Sequence, residues 1–223
     1  KKKKTAPAAQ ALGEKQLDAE DSVNVTAGFV YTQGGFSLTV DAYRIDIDDR
    51  IVLSENLSGD AVQQILANAG ELNTESVRYF TNAINSRTQG VDIVATYTLD
   101  LNTLGDVRLN AAANINDTEV THVDANPSEL NSLDDDYVVF ARREVGRFEQ
   151  GTPDNKLNLS AVWSFNQWQT TLRATRYGEV ADISTTSEGD EYLDAKWIAD
   201  LEVAYRPNEA WKFAVGANNL FDQ

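Results

Sequence analysis

Eight consecutive residues, Arg142-Arg143-Glu144-Val145-Gly146-Arg147-Phe148-Glu149, gather three guanidinium groups, two carboxylates and one aromatic ring. A planar guanidinium fork matches the paired oxygens of a carboxylate or catecholate and also reaches sugar hydroxyls. With Phe148 as a stacking face, Arg142, Arg143, Arg147 and Glu149 form a candidate ligand grip. The same residues suit a plainer task, an Arg–Glu network that holds a long loop in shape. His122 is the single histidine and the chain has no cysteine. General-base work needs a nucleophile within reach, and His122 has only acidic neighbours, so a surface residue is expected. Asp48 and Asp49 are adjacent on a strand, point to opposite faces and cannot flank one glycosidic bond. No regular calcium loop and no glycine-rich phosphate loop between strand and helix is present. The reading is therefore a non-enzyme without a catalytic set, metal or cofactor.

A formal charge of −16 argues against nucleic acid, because phosphate binding needs a basic surface. The acids concentrate between strands, as in Asp124, Glu129, Asp134, Asp135 and Asp136, where solvated, self-repelling loops are expected. Lys1 to Lys4 precede an Ala/Pro-rich stretch with no apolar region, which excludes a signal peptide. Residues 1–20 are read as a lead-in, either a tag or a truncated loop, and 21–223 as one β segment. No run approaches the 18 or so apolar residues of a spanning helix. A membrane barrel stays open, since its strands need only every second residue apolar.

The elements that must position these residues are strands. Around Asn166, the set Leu157, Leu159, Ala161, Trp163 and Phe165 alternates with Asn158, Ser160, Val162 and Ser164; Trp168, Thr170, Leu172 and Ala174 then alternate with Gln169, Thr171, Arg173 and Thr175. Successive strand side chains point to opposite faces, so each segment has one apolar and one polar face. Similar ribbons start near Val23, Phe36, Arg78, Val107, Trp197 and Trp211. A parity shift over Tyr43–Ile47 suggests a bulge there. Ala61–Ala69 suits a short helix inside a long connection, about Arg50 to Val77. A second long connection spans about His122 to Asp154 and a medium one about Ala181 to Asp194. Short turns fall at Gln33-Gly34-Gly35, Asn102–Asp106, Asn166 and Arg206-Pro207-Asn208-Glu209.

Connection length alternates short and long throughout. That pattern predicts an all-β, antiparallel up-and-down meander of about eight strands with its short turns at one end and its long loops at the other. Tyr31, Phe36, Tyr97, Trp163, Phe165, Trp168, Tyr205 and Trp211 fall near the short-turn end, where a belt of amphipathic rings suits a lipid headgroup level. A soluble β-barrel that binds a small apolar ligand shows the same alternation. Its filled interior calls for bulky Leu, Ile and Val, whereas this apolar set is rich in Ala and aromatics. A passive porin is a further alternative. The lumen-side Arg108, Arg173, Asp200, Glu202 and Arg206 are expected to pair with one another or with a domain filling the barrel.

Several local motifs carry a resemblance. Val215-Gly216-Ala217-Asn218-Asn219-Leu220-Phe221-Asp222 resembles the G-x-x-N-L-F-D segment near the C-terminus of TonB-dependent outer-membrane receptors. Tyr79-Phe80-Thr81-Asn82-Ala83, followed by Arg87-Thr88-Gln89-Gly90-Val91-Asp92, looks like one of their barrel strands, and Phe36 to Ile51 like the strand before it. Gly151-Thr152-Pro153-Asp154-Asn155-Lys156 and Arg176-Tyr177-Gly178-Glu179 match recurrent pieces of the same region. The resemblance implies the C-terminal portion of a 22-stranded transmembrane β-barrel, without the plug, the TonB box or the last strand. It further implies partners: outer-membrane lipid, a TonB complex reached through the missing plug, and a small ligand such as a siderophore or glycan. The implied location is the outer membrane of a Gram-negative cell.

Overall fold

The computed structural model describes residues 6–130, 133 and 137–222. Lys1–Lys4 and Asp134–Asp136, singled out above, lie outside the described residues. The described residues form twelve strands and three α-helices: α1 (Pro7–Ala11), β1 (Asp21–Gln33), β2 (Phe36–Leu53), β3 (Leu57–Ser58), α2 (Asp60–Asn68), β4 (Ser76–Val77), β5 (Phe80–Asp100), β6 (Asp106–Val123), α3 (Arg142–Glu149), β7 (Asn155–Phe165), β8 (Trp168–Tyr177), β9 (Val180–Asp182), β10 (Glu191–Leu193), β11 (Lys196–Asn208) and β12 (Trp211–Ala217). Eight strands make one antiparallel sheet in the order β1-β2-β5-β6-β7-β8-β11-β12. Every strand pairs with its successor in that order, so the sheet is a meander. β3–β4 and β9–β10 are two-stranded ribbons inside the long connections.

Tight turns set the register. Gln33 faces Phe36 across Gly34-Gly35, and Gly34 sits at φ 57°, a backbone region closed to most side chains. Phe165 faces Trp168 across Asn166, itself at φ 51°. From these ends the apolar residues align in rows across the sheet. One row runs Leu38, Ala95, Ala111, Leu159, Ala174, Ala199. On the opposite face Asn114 donates to Asp92 at 2.7 Å, Thr96 to Asn110 at 3.1 Å, and Asn110 to Ser160 at 3.1 Å. Arg173 stands 3.6 Å from Asp200 and Lys212 3.6 Å from Glu202.

Among the described residues, nothing covers the apolar face. Leu159 is 38% exposed, Leu201 36% and Val215 77%. The buried clusters sit instead at the long-loop end: Leu12, Val62, Leu66, Tyr79 and Leu130 form one, Val52, Ala83, Ile84 and Phe140 the other. A soluble ligand-binding barrel buries its apolar faces in a closed interior, and this sheet does the reverse.

Four expectations need correction. The β1–β2 register runs unbroken from Ser22–Ile47 to Gln33–Phe36, so Tyr43–Ile47 contains no bulge. The irregularities against β5 fall later, between Ile47 and Ile51. The parity shift is an exchange of faces: above Ala42 the apolar-face positions become Arg44 and Asp46, while Tyr43 and Ile45 turn to the polar face. His122 is on β6 rather than in a loop, opposite Asn85, because β6 continues to Val123. The last turn is Glu209-Ala210, with Asn208 facing Trp211 and its Oδ1 accepting from the Ala210 and Trp211 N–H groups. The third connection is no bare loop but carries the β9–β10 ribbon.

Candidate ligand-binding site in the long loops

The sequence-predicted grip residues all lie on or beside helix α3. An apolar stripe, Val145 and Phe148, seats the helix on the buried cluster of Val52, Ile84 and Phe140. Val120 of that contact belongs to the polar-face positions of β6, so α3 folds inward over the top of the polar face. Phe148 lies 5.9 Å from Phe140, centroid to centroid, and the Arg50 guanidinium sits 4.6 Å over its ring. Glu149 Oε1 accepts the Val120 N–H at 3.0 Å.

The arginines reach three different connections. Arg142 makes two contacts to Asp190, at 2.7 and 2.5 Å, and donates to the Ser184 carbonyl at 2.7 Å. Arg143 meets Glu55 at 2.5 Å, and Arg147 meets Glu144 at 2.8 Å. Glu144 is buried and also takes Arg78 at 2.6 Å, with Arg143 at 3.6 Å. Glu55 further accepts the Glu144 N–H at 3.3 Å. It thereby caps from outside a helix whose own Ala141 offers no side-chain cap. The acid in the first turn and Arg147 in the last suit the helix dipole. Arg142, and next the Ser184 N–H, hold the Asp190 carboxyl down at about 2 from 3.8.

Cavities open among the loops. One of about 280 Å³ is lined by Glu55, Tyr137, Arg142, Arg143 and Thr185. A polar one of about 450 Å³ is lined by Lys15, Asp18, Asp49, Asn82, Asp124 and Phe140. Among the described residues, no group of three or more His, Cys, Asp or Glu could hold a metal ion. His122 stands 3.2 Å from Asp124 and is exposed. Sequence reasoning missed Glu55, Arg78, Tyr79 and Asp190, because the partners they meet, Arg143, Glu144, Leu12 and Arg142, lie 48 to 88 positions away and no local spacing announces them. It also set residues 7–12 apart from the fold. Leu12 is fully buried, and its carbonyl accepts the Tyr79 hydroxyl at 2.9 Å. Burial, with Glu129 and Glu14 nearby, pushes the Tyr79 phenol up to about 12.

At the other end the predicted aromatics gather on the apolar face. Phe36 lies 6.3 Å from Tyr31 and 6.4 Å from Tyr97. Trp163 stacks on Phe165 at 5.9 Å, and Trp168 meets Tyr205 at 4.6 Å. Trp211 stacks on Phe213, and Trp163 Nε1 donates to the Leu104 carbonyl at 2.8 Å. No helix among the described residues is long and apolar enough to cross a membrane, which leaves crossing by strands untouched.

The chain superposes on solved structures named as transporters and a receptor. The copper transporter OprC superposes with a TM-score of 0.63 at 15% identity, over 93% of this chain and 27% of its own. The FrpB iron transporter from Neisseria meningitidis gives 0.61 at 16%, over 94% and 27%. A mutant of the ferric enterobactin receptor from Pseudomonas aeruginosa gives 0.60 at 18%, over 93% and 26%. The chain thus spans about a quarter of the length of these proteins, and at such identities the likeness speaks for the fold alone. No curated protein matches the sequence. The family described as TonB dependent receptor-like, beta-barrel, matches residues 4–220. Near-complete coverage by that family, joined to an open meander with an uncovered apolar face, makes this chain a member of the TonB-dependent receptors and a section of their barrel wall.

Proposed function

We propose that this chain is part of an outer-membrane active-transport receptor that binds a scarce nutrient in its outer loops and imports it with TonB energy. The uncovered apolar face carries the reading. A continuous row from Leu38 to Ala199, in which Leu159 is about a third exposed, and the neighbouring Leu201, exposed to the same extent, have no protein cover among the described residues. Hydrocarbon is the environment in which that costs nothing, and the aromatic cluster beside the short turns suits a headgroup boundary. The short turns then face the periplasm and the α3 assembly faces outward. Lipid is the partner of the apolar face, and the polar face looks into the lumen, toward a plug through which TonB would act. Cargo binding falls to the loop cavities: Arg142 and Arg143 line one, Glu149 lines another, and Arg147 and Phe148 stand on the same helix. The solved relatives are named for copper, iron and ferric enterobactin; the cargo here belongs to the same broad group of scarce small nutrients, siderophore-bound iron, a vitamin or an oligosaccharide.

Uptake of labelled iron chelates, cobalamin and oligosaccharides by cells producing the full-length receptor, with and without a functional TonB, tests the reading. Accumulation of one of them that disappears with TonB is expected. Accumulation that persists without TonB would instead assign a passive porin.

A further inference from the structure

We infer that the apolar face holds one lipid molecule at a defined site between β5 and β8, its phosphate on Arg176 and an acyl chain in an apolar cavity beside it. The inference rests on the membrane placement proposed above and adds to it. Bulk hydrocarbon solvates the whole face, whereas this site selects a lipid by the charge of its headgroup. Two independent observations carry it.

The first is a cavity in the apolar face. The ladder sets Ala95 opposite Ala111 and Ala111 opposite Leu159, with Ala174 next in the row. In the adjoining row Tyr97 faces Leu109, and Leu109 faces Ala161. Small side chains among large ones lower the floor, and a cavity of about 450 Å³ opens there, lined by Ala95, Tyr97, Ala111, Leu159, Ala161 and Ala174 among others. That volume lies within the range of small-molecule sites. Left empty, its lining would forfeit dispersion contacts on one side, and in a bilayer the group at hand to restore them is an acyl chain.

The second is a cation without a counter-ion. Arg176 follows Ala174 by two positions on β8, on the same face and about 7 Å further from the short turn at the rise of a strand. It stands between Leu157 and the exposed Trp197 in the ladder and is itself half-buried. Its Nη1 donates to Asn155 Oδ1 at 2.5 Å, and among the described residues it enters no ion pair. The Asn155 amide in turn donates to Asp154, which holds that carboxylate on the amide rather than on the guanidinium. Arg44 and Arg87, on the same face of β2 and β5, are by contrast both bonded to Asp46. Arg176 therefore keeps donors to spare where the apolar face of β8 ends. A phosphate is the partner that suits them, since a guanidinium matches its paired oxygens. Seated there, the phosphate brings its ester-linked chain over Ala174, at the rim of the cavity. Packing of hydrocarbon alone does not choose between lipids, because lipid tails are alike in apolar character; the guanidinium supplies the choice.

Native mass spectrometry of the full-length receptor, stripped of lipid in a mild detergent and titrated with phosphatidylglycerol or phosphatidylcholine, tests the site. One phosphatidylglycerol should stay bound at concentrations that leave phosphatidylcholine unbound, and inorganic phosphate should not displace it. Arg176→Gln should weaken that binding about tenfold, the ratio for one charge-assisted hydrogen bond, and Arg176→Lys should restore part of it. Ala111→Leu, which fills the cavity, should weaken it with Arg176 in place. Arg44→Gln, at an arginine already paired, should leave it unchanged. Heat-resistant migration of each variant checks that the barrel is assembled. Equal retention of the two lipids, or Arg176→Gln without effect, would overturn the headgroup seat, and Ala111→Leu without effect would overturn the acyl seat. Quenching of tryptophan fluorescence by brominated acyl chains reads the membrane placement separately. Quenching without a retained lipid refutes the site alone; no quenching refutes both.

Discussion

Replacing Gly146 by Ala pits two effects of opposite sign against each other. In an exposed helix the change gains about 1 kcal/mol, because glycine is the poorer helix former. Here the added methyl would meet Ile183 Cβ at 2.4 Å, Cγ1 at 2.5 Å and Cγ2 at 2.8 Å. Ile183 is 4% exposed and cannot swing aside. Overpacking a tight interior costs about 1–3 kcal/mol, so the net effect should be a local destabilisation of about 0–2 kcal/mol. Hydrogen exchange on the full-length receptor resolves α3 and β9 separately from the barrel and reads local opening free energies. Amides of α3 and of Val180–Asp182 should exchange faster, while those of β7 and β8 stay unchanged. Ile183→Val with Gly146→Ala should recover part of the loss, a coupling expected only for residues in contact. Slower exchange in Gly146→Ala alone would mean that helix propensity wins and that the seam is looser than the distances state.

Other consequences are checked as directly. Arg at Leu159, Leu172 or Leu201 should cost about 2–4 kcal/mol near mid-bilayer and lower the fraction of heat-resistant barrel, while Arg at Asn158 or Thr171 should leave it unchanged; equal loss at both sets would refute the assigned facing. The Asp190 carboxyl falls from 3.8 to about 2 on folding, so its grip on Arg142 is fully present above pH 4. That contribution is lost as pH drops through 2, and Asp190→Asn should remove the corresponding acid-induced exposure of the third connection to pepsin. Tyr79→Phe deletes the hydroxyl bond to the Leu12 carbonyl, costs about 0.5–1.5 kcal/mol, and should make residues 7–20 the first site of limited proteolysis.

The sheet was legible because its information is local. Alternation, turn residues such as Gly34-Gly35 and Asn166, and connection length predict every main strand to within a few residues, since each depends on neighbours in the chain. The loops resisted reading because theirs is not. Glu55 caps α3 from 89 positions away, and nothing around Glu55 marks it as a cap. Tyr43–Ile47 suggested a bulge because alternation presumes one environment along each strand. At Arg44 the outer face turns charged, with Arg44 and Arg87 both paired to Asp46. The grip residues show a related ambiguity: residue types select guanidinium chemistry, whereas the identity of the bound anion depends on distant loops. In the fold those anions are Asp190 for Arg142 and Glu55 for Arg143, while Arg147 finds its partner locally in Glu144, three residues back.

Strand length has a consequence for what the cell surface presents. β5 has 21 residues, whereas crossing hydrocarbon takes about 9–11. From Gln89, where the outer face turns polar, to Phe80 the strand climbs roughly 20–25 Å at ordinary rise and tilt. On the proposed placement α3 and its partners stand above the acyl chains by most of the depth of a sugar coat. Antibodies and phage tail fibres would reach these loops before they reach lipid, so sequence change under such pressure should collect outside the Arg142, Arg143 and Glu144 contacts that keep the assembly together.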